Sequence, residues 1–252
     1  MKGFTAFAQK ELLELLRSFR MLILLAVLLL FGMMSPLFAK LMPELLKNLS
    51  GSGITVTLPP VAMSDAWAQF FKNIGQMGLI VLLLLFGTSL PQEIARGTLL
   101  IPLSKGLSRG AVVLAKYAAA LLCWTISYAL AALLCCVYTQ VLFGRFAPPR
   151  LAPALVCLWL FGAFLLALLE LFGAAAPGSF GGLLLTALTA GVLLALDAFP
   201  RLQSWNPATL ATRNTALLAG AVPELGSAAW VTAAGICACL CLCVFLFRKR
   251  TL

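Results

Sequence analysis

Glu93 and Arg96, an acid and a base, stand one helical turn apart in the one conspicuous hydrophilic interruption of a very apolar chain. Behind them come Gly97-Thr98, an apolar patch containing Pro102, and the pairs Ser104-Lys105 and Ser108-Arg109, with Lys116 as the last basic group. These side chains make hydrogen bonds and ion pairs. At i, i+3 Glu93 and Arg96 can satisfy each other, but such a pair stabilises a helix by only about 0.2–0.5 kcal/mol. The pattern predicts a short amphipathic segment, 91–110, held at a membrane surface with polar groups offered to a partner in water.

The other chemistry-bearing residues are few. With no histidine in the chain, His-based triads and H-E-x-x-H metal sites are excluded. The sequence contains no G-x-x-x-x-G-K-[ST] phosphate loop, so the polypeptide is not expected to bind and split ATP. Glu170, near one end of the fourth apolar run, and Asp197, near the end of the fifth, are the two carboxylates to weigh as positions along a pathway. A carboxylate in lipid is costly unless paired or hydrated, and both lie close enough to a run's end to be hydrated at the interface. Lys116, about two turns into the third run, is placed to snorkel to the surface. Eight cysteines (Cys123, Cys135, Cys136, Cys157, Cys237, Cys239, Cys241, Cys243) fall inside apolar runs. The last four alternate, and alternate residues on a helix point about 200° apart. Four such thiols cannot converge on one ion, so no metal site is expected and the cysteines read as small packing residues.

The elements that must position these groups are membrane helices. Hydrophobic residues make up 62% of the chain and charged ones 10%, far from soluble norms, and mean hydropathy is +1.05. A spanning helix needs about 20 apolar residues. Six runs qualify: Met21–Ala39, Ile74–Leu90, Ala111–Phe143, Leu151–Phe172, Phe180–Leu196 and Ser227–Phe247. The third is long enough to tilt or project; the fifth is the shortest. They leave no room for a soluble catalytic domain, so residues 1–252 read as one membrane domain. The basic residues before the first run, with no small-residue cleavage site after it, argue against a cleavable signal.

Phe4, Phe7, Ala8, Leu12, Leu15 and Phe19 recur at helical spacing, so 1–20 is expected to form an amphipathic helix lying on the membrane. Of 18 basic residues, eleven gather at the termini and in 96–116, leaving seven (Lys40, Lys47, Lys72, Arg145, Arg150, Arg201, Arg213) on the other side. By the positive-inside rule both termini are cytoplasmic. The net charge of +10 is thereby explained by topology and anionic lipid, without nucleic acid. Pro43–Lys72 reads as an outside loop, Phe143–Arg150 as an outside turn and Gly173–Ser179 as a tight inside connection, its glycines serving the turn. Asp197–Gly226 is too apolar for a plain loop and too broken by Pro200, Pro207 and Pro223 for a span; Thr209–Ala221 is expected to dip into the outer leaflet as a short helix.

Read as E-x-x-x-G-T-L…L-S-K-x-x-S-R…K, the hydrophilic segment resembles the cytoplasmic coupling region of ABC-2 type transport permeases. Lys10-Glu11-Leu12-Leu13-Glu14…Arg17-Ser18-Phe19-Arg20 is similar to their K-E-L-x-E…R-S-x-R opening. The sequence departs in having Gly106 where the family commonly has Pro, and in placing Pro102 in the apolar run. The resemblance implies an all-α polytopic fold of six transmembrane helices, an interfacial elbow helix (Lys10, Glu11, Glu14, Arg17) and a re-entrant segment, 197–226, before the last helix. It implies that Glu93, Arg96, Gly97, Thr98, Ser104, Lys105 and Arg109 couple to a separate ATP-binding cassette subunit, present in two copies and holding the ATP and Mg, beside a second permease copy or homologue. The chain itself, with no cofactor, would be the permease of an exporter in the cytoplasmic membrane of a prokaryote. Few fixed charges and the span tryptophans Trp124 and Trp159 favour an amphipathic or hydrophobic cargo. The rivals are an ATPase-independent carrier or channel and, with no polar constellation to support it, a membrane-embedded enzyme.

Overall fold

The computed structural model describes residues 2–49, 62–104, 106–144, 148–176, 178, 180–220 and 225–249. Among them every element is helical. α1 (Lys2–Arg17) leads into α2 (Arg20–Leu49), and α3 (Met63–Asn73) runs through a π turn, Ile74–Gly78, into α4 (Leu79–Phe86). The hydrophilic interruption is a hairpin of α5 (Ser89–Arg96) and α6 (Leu100–Ser104). α7 (Arg109–Phe143), α8 (Leu151–Ala175) and α9 (Gly181–Leu196) follow, then the short α10 (Thr209–Thr212) and α11 (Asn214–Leu218), and α12 (Leu225–Lys249).

Among the described residues, five helical stretches are long and apolar enough to cross a membrane: Arg20–Met42, Met63–Arg96, Arg109–Phe143, Leu151–Ala175 and Leu225–Arg248. The sixth expected span, α9, is apolar but only 16 residues long, about 24 Å of helix against a hydrocarbon core of about 30 Å. The second span begins eleven residues before the expected Ile74, because Trp67, Phe70 and Phe71 of α3 are buried as part of the core rather than lying in a loop. The expected loop Pro43–Lys72 is correspondingly shorter: helix continues to Leu49 and resumes at Met63, and 50–61 lies outside the described residues.

The core sits where α2, α3, α7 and α8 meet, around Trp67, Phe70, Phe71, Trp124 and Tyr128. Trp124 stacks on Tyr128 with centroids 5.1 Å apart. The α7–α8 seam carries a row of side-chain bonds to the α8 backbone: Tyr117 donates to Ala163 O, Trp124 to Trp159 O and Tyr128 to Leu155 O. Gly162 makes the seam possible, since a Cβ there would lie 2.5 Å from the Trp124 ring. The Trp124 ring is fully buried, and its N–H has a carbonyl to meet inside the bundle. α8 and α9 approach at Gly182, where a Cβ would lie 2.7 Å from the Gly173 nitrogen. Gly178, at φ +78°, serves the turn between them.

Side-chain bonds fix which ends lie together. Arg109 donates to the carbonyls of Phe247 and Arg248, and Cys243 Sγ to Glu170 O. The start of α7 and the ends of α8 and α12 therefore share one end with α1 and the hairpin. At the far end Arg150 donates to Gly220 O and Ser227 to Ser204 O. There 197–220 folds back: Asn206 donates to Leu193 O and accepts from Ala208 N. α10 and α11 pack on α8, burying Thr209, Leu210, Asn214, Leu217 and Leu218. The expected single helix Thr209–Ala221 is two short ones because Arg213, outside helical geometry, separates them; Ala221 lies outside the described residues.

Candidate functional site: a buried ion-pair junction

α1 is helical as its spacing requires, but its buried face is not the all-apolar one. Phe7, Glu11 and Leu15 are buried at i, i+4, i+8, while Phe4 and Phe19 are exposed. A carboxylate sits mid-stripe because Lys116 of α7 meets it. Lys116 Nζ lies 2.8 Å from Glu11 Oε2 and 2.7 Å from Glu93 Oε1. All three residues are at least nine-tenths buried, with exposures of 3%, 5% and 9%. Lys10 completes the cluster at the surface, 3.0 Å from Glu11, 2.8 Å from Glu14 and 3.9 Å from Glu93. Partial burial of Lys10 opposes its charge, but the hydrogen bonds that it donates to Glu14 and Glu11 outweigh this and raise its pKa above the ordinary lysine value. For Glu14 partial burial acts upward, yet the bond and charge of Lys10 win and lower its pKa.

Three sequence expectations are corrected here. Glu93 is not solvated, and its partner is Lys116 rather than Arg96. Lys116 does not snorkel to water; a lone lysine two turns inside an apolar helix finds two carboxylates brought to its depth by neighbouring elements, which is the cheaper solution in low dielectric. Glu170 is not at an open interface: it is 8% exposed, its Oε2 has no partner among the described residues, and it lies within reach of the charges on Lys116, Glu11 and Glu93. The missed signal was charge bookkeeping in the apolar runs, where an isolated lysine demands acids from elsewhere.

The hairpin's remaining polar residues divide by role. Gly97 adopts φ +68° and closes α5, its N–H bonding Ile94 O; that conformation accounts for the glycine of the G-T pair. Thr98 donates to Glu93 O and Ser104 to Ile101 O. Gly106 has φ +85°, which a proline cannot adopt, so the departure at that position has a local reason. Ser108 caps α7 by accepting from Ala111 N. Arg109 is spent on the end of α12. Arg96 and Ser104 are exposed; Arg17 is exposed too, at the end of α1. Lys105 lies outside the described residues. Asp197, at the far end, accepts from Thr212 Oγ1 at 2.7 Å, so it does not join Glu170 in one site.

Above the junction α1 and the hairpin enclose a cavity of about 950 Å³, open to the surface and lined by Phe4, Phe7, Lys10, Glu14, Glu93, Arg96, Thr98, Leu99, Ile101, Pro102 and Ser108 among others. Glu11, Glu14 and Glu93 bring three carboxylate oxygens within 4.8 Å of one another, the spacing of a cation site. Lys10 and Lys116 already supply two ammonium groups to these oxygens, so the group reads as a mechanical joint between α1, α5 and α7. The family model for ABC-2 family transporter proteins matches residues 5–223, taking in the elbow, the hairpin and every long helix but the last. The chain belongs to the ABC-2 transporter family. No curated protein matches it. As an ABC-2 permease it is a multi-pass membrane transport component, and the family implies in general an ATP-binding partner.

Proposed function

We propose that this permease is the membrane half of an ATP-driven exporter, paired with a second permease copy or homologue and two ATP-binding cassette subunits that hold ATP and Mg. The observation that carries the reading is the Glu11–Lys116–Glu93 junction. It makes the elbow helix, the hairpin and the third long helix one mechanical unit beneath an open cavity. A push on the exposed side of the hairpin, at Arg96, Thr98, Ile101 and Ser104, is then delivered to α7 through an ion pair rather than absorbed by a loose loop. Closure of a nucleotide-bound ATPase dimer would move the Glu93–Leu103 segment, tilt the spans and alternate access to a central path.

The charged end is cytoplasmic in this reading, with both termini there and the chain in a prokaryotic inner membrane. Few fixed charges within the apolar helices favour hydrophobic or amphipathic cargo. Purification of the tagged protein from its native membrane should bring down an ATP-binding cassette protein. Its absence would sink the exporter reading in favour of an ATPase-independent carrier or channel. A membrane enzyme is the weaker rival, because the buried polar cluster holds only ion-paired lysines and glutamates.

A further inference from the structure

A second cavity, of about 700 Å³, lies toward the far end between α3–α4, α8, α9 and the folded-back α10–α11. We propose that it holds one phospholipid with an amine-bearing zwitterionic headgroup, phosphatidylethanolamine. Along the cavity wall the α3–α4 face presents, in order, Asp65, Lys72, Leu79 and Leu83. Seven-residue steps return to nearly the same helix face, about 10 Å further along. Acid, base and hydrocarbon are therefore stacked in the order in which such a lipid stacks its ammonium, phosphate and acyl chains. Asp65 and Lys72 are exposed at the mouth, and Phe161 of α8 is part of the apolar wall opposite.

A second observation identifies the headgroup's donor. Asn214 lines the cavity, is 1% exposed, and spends its amide nitrogen on Ala211 O. Its Oδ1 is buried with no hydrogen-bond partner among the described residues. An orphaned buried carbonyl is costly and calls for an N–H or O–H. A primary ammonium supplies one; a choline group does not; a glycerol headgroup lacks the positive charge that Asp65 asks for.

The test is native mass spectrometry of the purified chain in detergent, titrated with phosphatidylethanolamine, phosphatidylcholine or phosphatidylglycerol bearing identical acyl chains. Phosphatidylethanolamine should bind about tenfold more tightly than phosphatidylcholine, the worth of one charge-assisted hydrogen bond. Asn214→Leu should erase that preference, and Lys72→Gln should weaken both zwitterionic lipids about threefold. Equal binding of all three lipids, a preference for phosphatidylglycerol, a preference that survives Asn214→Leu, or affinities unmoved by Lys72→Gln overturns the site. If Asn214→Leu loses its helical circular dichroism, the surface variant Lys72→Gln decides alone. The assay contains neither ATP nor a partner subunit, so its failure leaves the exporter reading standing, and a failed ATPase co-purification leaves this site standing. A transported amphiphile of the same headgroup would be distinguished from a resident lipid by its release when nucleotide and ATPase are added.

Discussion

Lys116 Nζ stands 2.7 Å from Glu93 Oε1 although 23 residues separate them, and this one contact ties the hairpin to the interior of a long apolar helix. A buried ion pair adds little over an apolar pair of the same shape, but removing one partner strands the other charge at a cost of about 3–5 kcal/mol. Lys116→Met should therefore lower the melting temperature and abundance sharply. Adding Glu11→Gln and Glu93→Gln to Lys116→Met should restore much of the loss. Scanning calorimetry in detergent checks both, and an unaltered Lys116→Met would mean that the junction carries no load.

Glu93→Ala and Arg96→Ala should behave differently despite being one turn apart. Glu93 is in the junction, so its loss should destabilise the fold and weaken partner binding together. Arg96 is exposed, so its loss should leave the melting curve within about 0.5 kcal/mol and reduce only the amount of ATPase recovered. Equal effects of the two on stability would count against the division of roles.

Gly162→Ala places a methyl group into the Trp124 ring. Overpacking of this kind costs about 1–3 kcal/mol. Gly191, where a Cβ meets nothing within 4 Å, provides the control: Gly191→Ala should be neutral or slightly stabilising through the helix. Paired thermal melts measure the difference.

Docking of α1 should depend on pH in one direction. The pKa of Glu14 lies below its ordinary 4.5 because of Lys10, so the Lys10–Glu14 pair contributes fully above about 4.5. That contribution is lost as pH falls through the lowered folded-state value. Measured as the difference in α1 amide protection between the wild type and Glu14→Gln, corrected for intrinsic exchange, the contribution of this pair should stay constant between pH 8 and 6 and vanish only in more acidic solution. A difference that vanishes near pH 7 would contradict this assignment.

In a cysteine-free background, Ser104→Cys should react with a membrane-impermeant maleimide only from the cytoplasmic side, and Trp205→Cys only from outside. Labelling of both from one face would refute the crossing of α9 that the shared ends of α8 and α12 imply.

Much of this was legible in the residues. Long apolar runs can only be helices in lipid, and the elbow and hairpin were marked by charges at their ends. Two things were not. Periodicity placed Phe4 and Phe19 on the face of α1 that lies on the membrane but gave no sign that Glu11 is buried, because the partner that makes a buried carboxylate affordable sits 105 residues away. Trp67, Phe70 and Phe71 looked like loop residues since their neighbours, Asp65 and Lys72, are charged; only tertiary packing shows that the charges border a cavity while the rings enter the core. Hydropathy averages over faces and so cannot see either arrangement.

Phe19 adopts φ 59°, a left-handed conformation that costs a residue with a side chain about 1–2 kcal/mol. Without that bend, Lys2 to Leu49 would run as one rod of about 72 Å, far too long for the bilayer. The left-handed bend at Phe19 and the anchoring of Glu11 by Lys116 together keep α1 turned back against α7 instead of continuing the line of α2.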